Sequence, residues 1–480
     1  MTKQVLLDVL HKEHRIMTFP REYLDIVDES QIPKHIIIIP IDACRYEYLK
    51  QFSLPNIEFL ISNGVSFANA IAANCVAETA PGFASISTGK YMKDHGISSS
   101  DSWYDRESKK LFYFYDEETG ELRLDSPTLV DIVKQKKPSV KVASISAKDR
   151  NSFLLGGNSA DIVVFSYREK MSQRSDFSGK GVRSDAFGWT ERPGKELPSY
   201  LADLTIPRVV DWEGPGFHHP NENSANTPFM DKFIMEGALK ILEHEKPDIL
   251  FVSLLSANIV GHIYLTESNE IKNTMEITDK QIGKMISRVK EMGWFDDTLF
   301  VITADHGMAD KPYSIDLMGE LKRKAPKRLV ENIAYRYMVP AVGGLYLHDV
   351  KPDLIDETIK ALTAIDHVKE AWYKNDPKAP WYIQRGAHKR SPDIIVVPEF
   401  EYQIAAEGSV EPVYPAYHGA PYYADFSILM VFSGCGVKKM GTIGEHNIPR
   451  EAYLTDEMVR DLPDQTQIVP TIMRILKIAA

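Results

Sequence analysis

The run HIIIIPI at 35–41 constrains the fold more than any other stretch of this chain. Four consecutive isoleucines leave no polar face, which predicts a strand over 36–41 buried on both sides, as in a parallel sheet covered by helices. Pro40 fits only near the end of such a strand. Asp42 then stands at the strand's carboxyl end, where it can serve either as the N-cap of a helix starting near Arg45 or as a ligand to something bound there.

The pattern recurs along the chain. Short apolar runs predict further strands over 140–145, 162–165, 249–254, 298–303, 345–348, 393–397 and 428–432, and helical patterns fall at 56–63, 230–244, 278–291, 354–364 and 468–478. Strands alternating with helices predict an α/β fold: a largely parallel central sheet covered by helices on both faces. Residues 1–33 read as a leading helix and connector. Residues 34–480 read as one catalytic domain with cap excursions at about 166–228 and 311–412, where the periodicity lapses or a second set of elements intervenes.

A net charge of -11 argues against binding a nucleic-acid polymer or an anionic membrane, while leaving room for a local basic pocket. No stretch approaches the roughly 20 apolar residues that cross a bilayer, and the first twenty residues lack a signal-peptide core. The expectation is a soluble cytoplasmic protein. Cys44, Cys75 and Cys435 are too scattered for a disulfide framework or a Cys-rich zinc site, and are expected to be small buried residues.

Chemistry-bearing residues collect at the predicted strand ends. Asp42 follows the first strand, Lys148 and Arg150 follow 140–145, Asn258 and His262 follow 249–254, and Asp305 and His306 follow 298–303 in TADHGMAD. His418 lies in AYHGAPYY, and Thr79 precedes Ala80, Pro81 and Gly82 in a segment that reads as a helix start. Each has a plain structural reading: an N-cap for Thr79, solvated charge for Lys148 and Arg150, a hydrogen-bonded strand end for Asp305 and His306. Ligands of open α/β sheets nevertheless bind outside the carboxyl ends of the strands, so these distant positions can converge. Two carboxylates, three imidazoles, an amide and a hydroxyl suit a pair of divalent cations with nitrogen and oxygen ligands. A hydroxyl at a helix N-terminus is a reasonable nucleophile, and a Lys and an Arg just past a strand can grip a phosphate.

These motifs, in this order, resemble the alkaline phosphatase superfamily over nearly the whole chain, including the ending DQTQIVPTIMRILKI. The piece ETAPGFASISTG is similar to the Thr nucleophile segment of nucleotide pyrophosphatase/phosphodiesterases, phosphonoacetate hydrolases and PafA-type alkaline phosphatases. It lacks the Cys-x-Pro-x-Arg pattern of sulfatases. SAKDRNSFLLGGNSAD resembles the PafA-type segment whose Lys and Arg contact phosphate, whereas HGISSSDSWYD has no clear counterpart of that subfamily's phosphate-contacting Asn. The resemblance implies an alkaline-phosphatase-like fold in which Asp42, Thr79, Asp305 and His306 hold one metal and Asn258, His262 and His418 a second. Zinc is the first expectation for both ions, with manganese or magnesium as alternatives.

It further implies a phosphoester hydrolase that acts on a small-molecule ester through a phosphothreonine at Thr79, with Lys148 and Arg150 neutralising phosphate oxygens. Monoesters rank ahead of diesters because a monoester exposes more terminal charge to those cations; phosphonates are a further alternative. A phosphoglycerate mutase-like isomerase and a non-catalytic binding protein are readings from other classes. Thr79 speaks against the first, because those enzymes resemble Ser nucleophile patterns. Asn258 is the argument for the second. Family members usually carry Asp there, and a neutral carbonyl is a weaker metal donor, so the second site is expected to be the weaker one.

Overall fold

The structure, a computed structural model, describes residues 26–100, 102–116, 118–166, 186–187, 189–193, 195–204, 206–207, 227–445 and 447–478. The expected leading helix and most of the 166–228 excursion lie outside the described residues.

Thirteen strands carry the argument. They are β1 His35–Pro40, β2 Gly64–Phe67, β3 Val142–Ser146, β4 Ile162–Ser166, β5 Trp189–Glu191, β6 Ile249–Ser253, β7 Thr298–Thr303, β8 Ile333–Val339, β9 Val342–Leu347, β10 Val368–Tyr373, β11 Ile394–Pro398, β12 Val431–Gly434 and β13 Gly441–Ile443. The helices used below are α1 Pro55–Ser62, α2 Thr79–Thr88, α3 Asp149–Gly156, α4 Thr227–Glu245, α5 Ser256–Tyr264, α6 Asn269–Glu291, α7 Pro352–Thr363 and α8 Ile468–Ile475.

The central sheet has nine strands in the order β13-β2-β12-β7-β1-β6-β3-β4-β5. Its middle, from β7 through β1, β6 and β3 to β4, is parallel throughout. Antiparallel pairing enters through β12 on one side and β5 on the other. Ile36, Ile37, Ile38 and Ile39 are all buried, each worth about 1.5–3 kcal/mol of transfer free energy, so β1 has one stable place, at the centre. Helices pack around the sheet, as expected of an α/β fold.

Element boundaries differ from expectation where a cap or a turn outweighs periodicity. The helix expected at 278–291 begins at Asn269, because the Ser268 side chain accepts the Ile271 N–H and buried positions at Ile271, Thr274, Met275 and Thr278 extend the apolar stripe. The strand expected at 428–432 is β12, Val431–Gly434, because the Ile428 and Leu429 N–H groups are drawn to Ala70 and Cys44 in the loop before it.

The second excursion is a folded unit. Strands β8-β9-β11-β10 form an antiparallel sheet, and Leu317, Leu321, Leu345, Leu347, Leu362 and Val396 build a hydrophobic cluster separate from the main core. All three cysteines are free and buried, as expected. Among the described residues no helix is long and apolar enough to cross a membrane.

Candidate active site

The parallel register of β1 and β7, His35 opposite Thr298 through Pro40 opposite Thr303, delivers Asp42 and Asp305 to the same edge of the sheet. Ala43 adopts a left-handed conformation, φ 63°, which aims its N–H at Asp305 Oδ1 at 3.0 Å. A non-glycine residue there costs about 1–2 kcal/mol, so the turn is held by the contacts it makes.

Thr79 is the first residue of α2, with Glu78 as the N-cap, so its position at a helix start is as expected. All ten residues of α2 are buried. Its small side chains let the helix approach the sheet closely, and Thr79 Oγ1 comes within 3.5 Å of His306 Nε2. The same nitrogen lies 3.5 Å from Asp42 Oδ1 and 3.3 Å from Asp305 Oδ2. Those two carboxylate oxygens are buried and accept no hydrogen bond. His306 Nδ1 is 2.8 Å from the Gly307 carbonyl; a carbonyl only accepts, so Nδ1 carries the proton and Nε2 presents a lone pair.

Two carboxylates, an imidazole nitrogen and a hydroxyl therefore converge on one point. Buried acceptors arranged this way could share a cation, and the set of two carboxylates, an imidazole and a hydroxyl fits a divalent ion. Electrostatics agree. Burial pushes Asp305 well above the usual carboxylate range, reinforced by the nearby charge of Asp42. Burial acts on Asp42 in the same sense, but the Lys148 ammonium, through its charge and its hydrogen bond, outweighs it with help from Arg150 and holds Asp42 low. Burial brings His306 down to about 4, so its imidazole is neutral near pH 7.

The second group sits beside the first. The His418 ring stacks on His306 with centroids 3.5 Å apart, and His262 lies 5.2 Å from His418. Both repeat the tautomer device: His262 Nδ1 is 2.9 Å from the Ala416 carbonyl and His418 Nδ1 is 2.8 Å from that of Ala77. Burial lowers His262 to about 4 and His418 further. Asn258, one turn before His262 on α5, has its Nδ2 3.4 Å from His262 Nε2. These groups too can hold a cation through Nε2 of each imidazole and the amide oxygen, but they bring no carboxylate.

Lys148 is the N-cap residue of α3, and its Nζ lies 2.6 Å from Asp42 Oδ2 and 3.4 Å from Asn258 Oδ1. Arg150 follows in the first turn, and its charge acts on both Asp42 and His306. Every residue expected at the site is thus gathered at one end of the sheet.

The chain from 36 to 421 matches the family model described as type I phosphodiesterase / nucleotide pyrophosphatase. The chain belongs to this family. Through it the chain is a member of the alkaline phosphatase superfamily, to which its relatives also point. It is 25% identical to alkaline phosphatase PhoD of Zymomonas mobilis, over 68% of this chain and 58% of PhoD. It is 24% identical to alkaline phosphatase PafA of Elizabethkingia meningoseptica, over 93% of this chain and 92% of PafA. The crystal structure of PafA superposes with a TM-score of 0.72 at 20% identity, covering 93% of this chain and 96% of that one, which establishes a shared fold.

Several residues around the candidate site were not singled out by the sequence. Glu78, buried beside Thr79, accepts the Ser100 N–H at 3.0 Å and the Tyr337 hydroxyl of β8, which joins the inserted unit to α2. Gln465, ahead of α8, donates to the carbonyls of Ala304 and Asp305 and accepts the Ala73 N–H. Lys311 and Asp425 form a fully buried ion pair at 3.3 Å, and Asp425 also accepts the N–H groups of Ala420 and, through its carbonyl, Gly307. That pair ties the His306 loop to the His418 loop. Adjacency to Thr79 is all that the sequence offers for Glu78; the rest have no signal short of the tertiary fold.

Proposed function

We propose that this chain is a metal-dependent phosphoester hydrolase that works through a covalent phosphothreonine at Thr79, with phosphomonoesters as the favoured substrates. The observation that carries the reading is the convergence of Thr79 Oγ1 and two unpartnered carboxylate oxygens on His306 Nε2 at the start of a buried helix. Family membership and the PhoD and PafA relatives support it.

Asp42, Asp305, His306 and Thr79 would hold one divalent ion, and Asn258, His262 and His418 a second, zinc being the best match to the nitrogen and oxygen donors. When bound, such ions lower the pKa of a coordinated hydroxyl and offset charge developing on the phosphoryl and leaving oxygens. The rest is done by the chain's own residues. Thr79 gives its hydroxyl proton to solvent as its Oγ attacks phosphorus, the new Oγ–P bond forms as the ester P–O bond breaks, and the leaving oxygen takes a proton from solvent to depart as the alcohol. Water then attacks the phosphothreonine, releasing phosphate and restoring the Thr79 hydroxyl. The start of α2 places its first-turn dipoles beside the transferred group. Lys148 and Arg150, at the start of α3, meet the terminal oxygens that only a monoester presents fully charged.

The test is to quench the protein during turnover of 4-nitrophenyl phosphate at low pH and map phosphorylation by mass spectrometry. Phosphate on Thr79, absent in a folded, metal-loaded Thr79→Ala variant that does not turn over, is the expected result. Full turnover by Thr79→Ala removes the nucleophile assignment. The family's phosphodiesterase description favours diester cleavage as the second reading.

A further inference from the structure

Asp42 is divided between two neighbours. Its Oδ1 faces His306, and its Oδ2 holds the Lys148 ammonium at 2.6 Å. The same ammonium is 3.4 Å from the Asn258 amide oxygen, so Lys148 reaches from one half of the site to the other. The charge inventory of the halves is unequal. Asp42 and Asp305 bring two carboxylates to the His306 side, whereas Asn258, His262 and His418 bring none, and each of the two imidazoles turns its Nδ1 to a backbone carbonyl. A divalent ion among these donors finds no carboxylate of its own there, and Asp42 Oδ2, joined to Asn258 through the Lys148 ammonium, already pairs with a positive charge.

We propose that Lys148 is a resident cation of the second half-site, which a divalent ion enters only by displacing Lys148 from Asp42. The inference rests on the two-ion reading above and goes beyond it. One divalent ion binds tightly through Asp42, Asp305 and His306. The second binds weakly because it must overcome the Lys148–Asp42 ion pair as well as the missing carboxylate at 258. Lys148 and Asn258 are in this view one device: a carboxylate at 258 would stand next to the ammonium and hold it still more firmly, so the neutral amide leaves Lys148 free to turn to a phosphate.

Zinc and cobalt binding to the metal-stripped full chain, in phosphate-free buffer, tests this by calorimetry and by metal analysis after equilibrium dialysis. Lys148→Met removes the competing charge and frees Asp42 Oδ2, so the second ion is expected to bind at least tenfold tighter while the first changes little. Lys148→Gln checks the same point should the Met variant fail to fold, and Lys148→Arg, which keeps the charge, is expected to bind the second ion as the natural chain does. Asn258→Asp alone is expected to gain less than Asn258→Asp combined with Lys148→Met, because the new carboxylate pairs with Lys148. Unchanged or weaker second-ion binding in both Lys148→Met and Lys148→Gln, with the first ion bound normally, overturns the proposal and leaves the hydrolase reading standing. Failure of the natural chain to bind any divalent ion overturns both.

Discussion

Gly82 in α2 lies against Asp305 so closely that a Cβ at position 82 would stand 2.5 Å from the Asp305 carbonyl oxygen and 2.8 Å from its Cβ. The absence of a side chain there sets the distance between α2, which begins at Thr79, and the strand end that carries Asp305 and His306. Gly82→Ala is expected to push α2 away from β7, lowering stability by about 1–3 kcal/mol through overpacking. Turnover should fall further than stability accounts for, at least tenfold, because Thr79 and His306 separate. Thermal melting and steady-state kinetics on the same preparation check this; a variant with natural kinetics would show that the helix position is not set by this contact.

The Lys311–Asp425 pair is fully buried and ties the loops of His306 and His418. Lys311→Met alone strands a buried carboxylate and is expected to cost about 3–5 kcal/mol. Lys311→Met with Asp425→Leu should regain most of that stability, since an apolar pair of similar volume can replace a buried ion pair. It should not regain metal affinity, because the Ala420 N–H loses its acceptor and the His418 loop its anchor. Chemical denaturation and metal titration of both variants separate the two effects.

Metal uptake has a proton signature. Asp305 is held well above its ordinary range by burial and by Asp42, so it is the ligand that gives up a proton to a cation. His306 and His262, lowered to about 4 by burial, are already neutral at pH 7 and release none. Binding that releases protons strengthens as pH rises, so affinity for the first ion should increase with pH through the range in which Asp305 titrates. Calorimetry in buffers of different ionisation enthalpy is expected to find net release of up to one proton per first ion. A second proton that persists in Asp305→Asn would come from the Thr79 hydroxyl or from an imidazole, and its loss in Thr79→Ala assigns it to the hydroxyl.

Under the proposed mechanism Arg150 distinguishes ester classes. Its charge reaches Asp42 and His306, and a planar guanidinium can take two terminal phosphoryl oxygens at once. Arg150→Ala is expected to lower kcat/KM for 4-nitrophenyl phosphate at least tenfold more than for bis(4-nitrophenyl) phosphate. Equal losses on the two esters would move the chain towards the diesterase reading.

The central strands were legible because their residues leave no choice. The Ile36–Ile39 run can be satisfied only by burial on both faces, and 298–303 coincides with β7 to the residue. Boundaries were less legible where side-chain caps act, as at Ser268, or where a loop competes for backbone hydrogen bonds, as before β12. Asp42, Asp305 and His306 could be placed together because parallel strands bring their ends to one edge. Glu78, Gln465, Lys311 and Asp425 could not, because their roles rest on partners 20 to more than 250 residues away or on a buried pairing that no local pattern encodes.

By itself the sequence determined which chemistry was at hand: the strand ends, the hydroxyl at a helix start, and the amide at 258 where a carboxylate is usual. Tertiary structure alone decided how those groups share charge. Asp42 turns one oxygen to His306 and the other to Lys148, and Lys148 spans to Asn258, since side chains more than 100 residues apart find each other only once the sheet has brought its strand ends together.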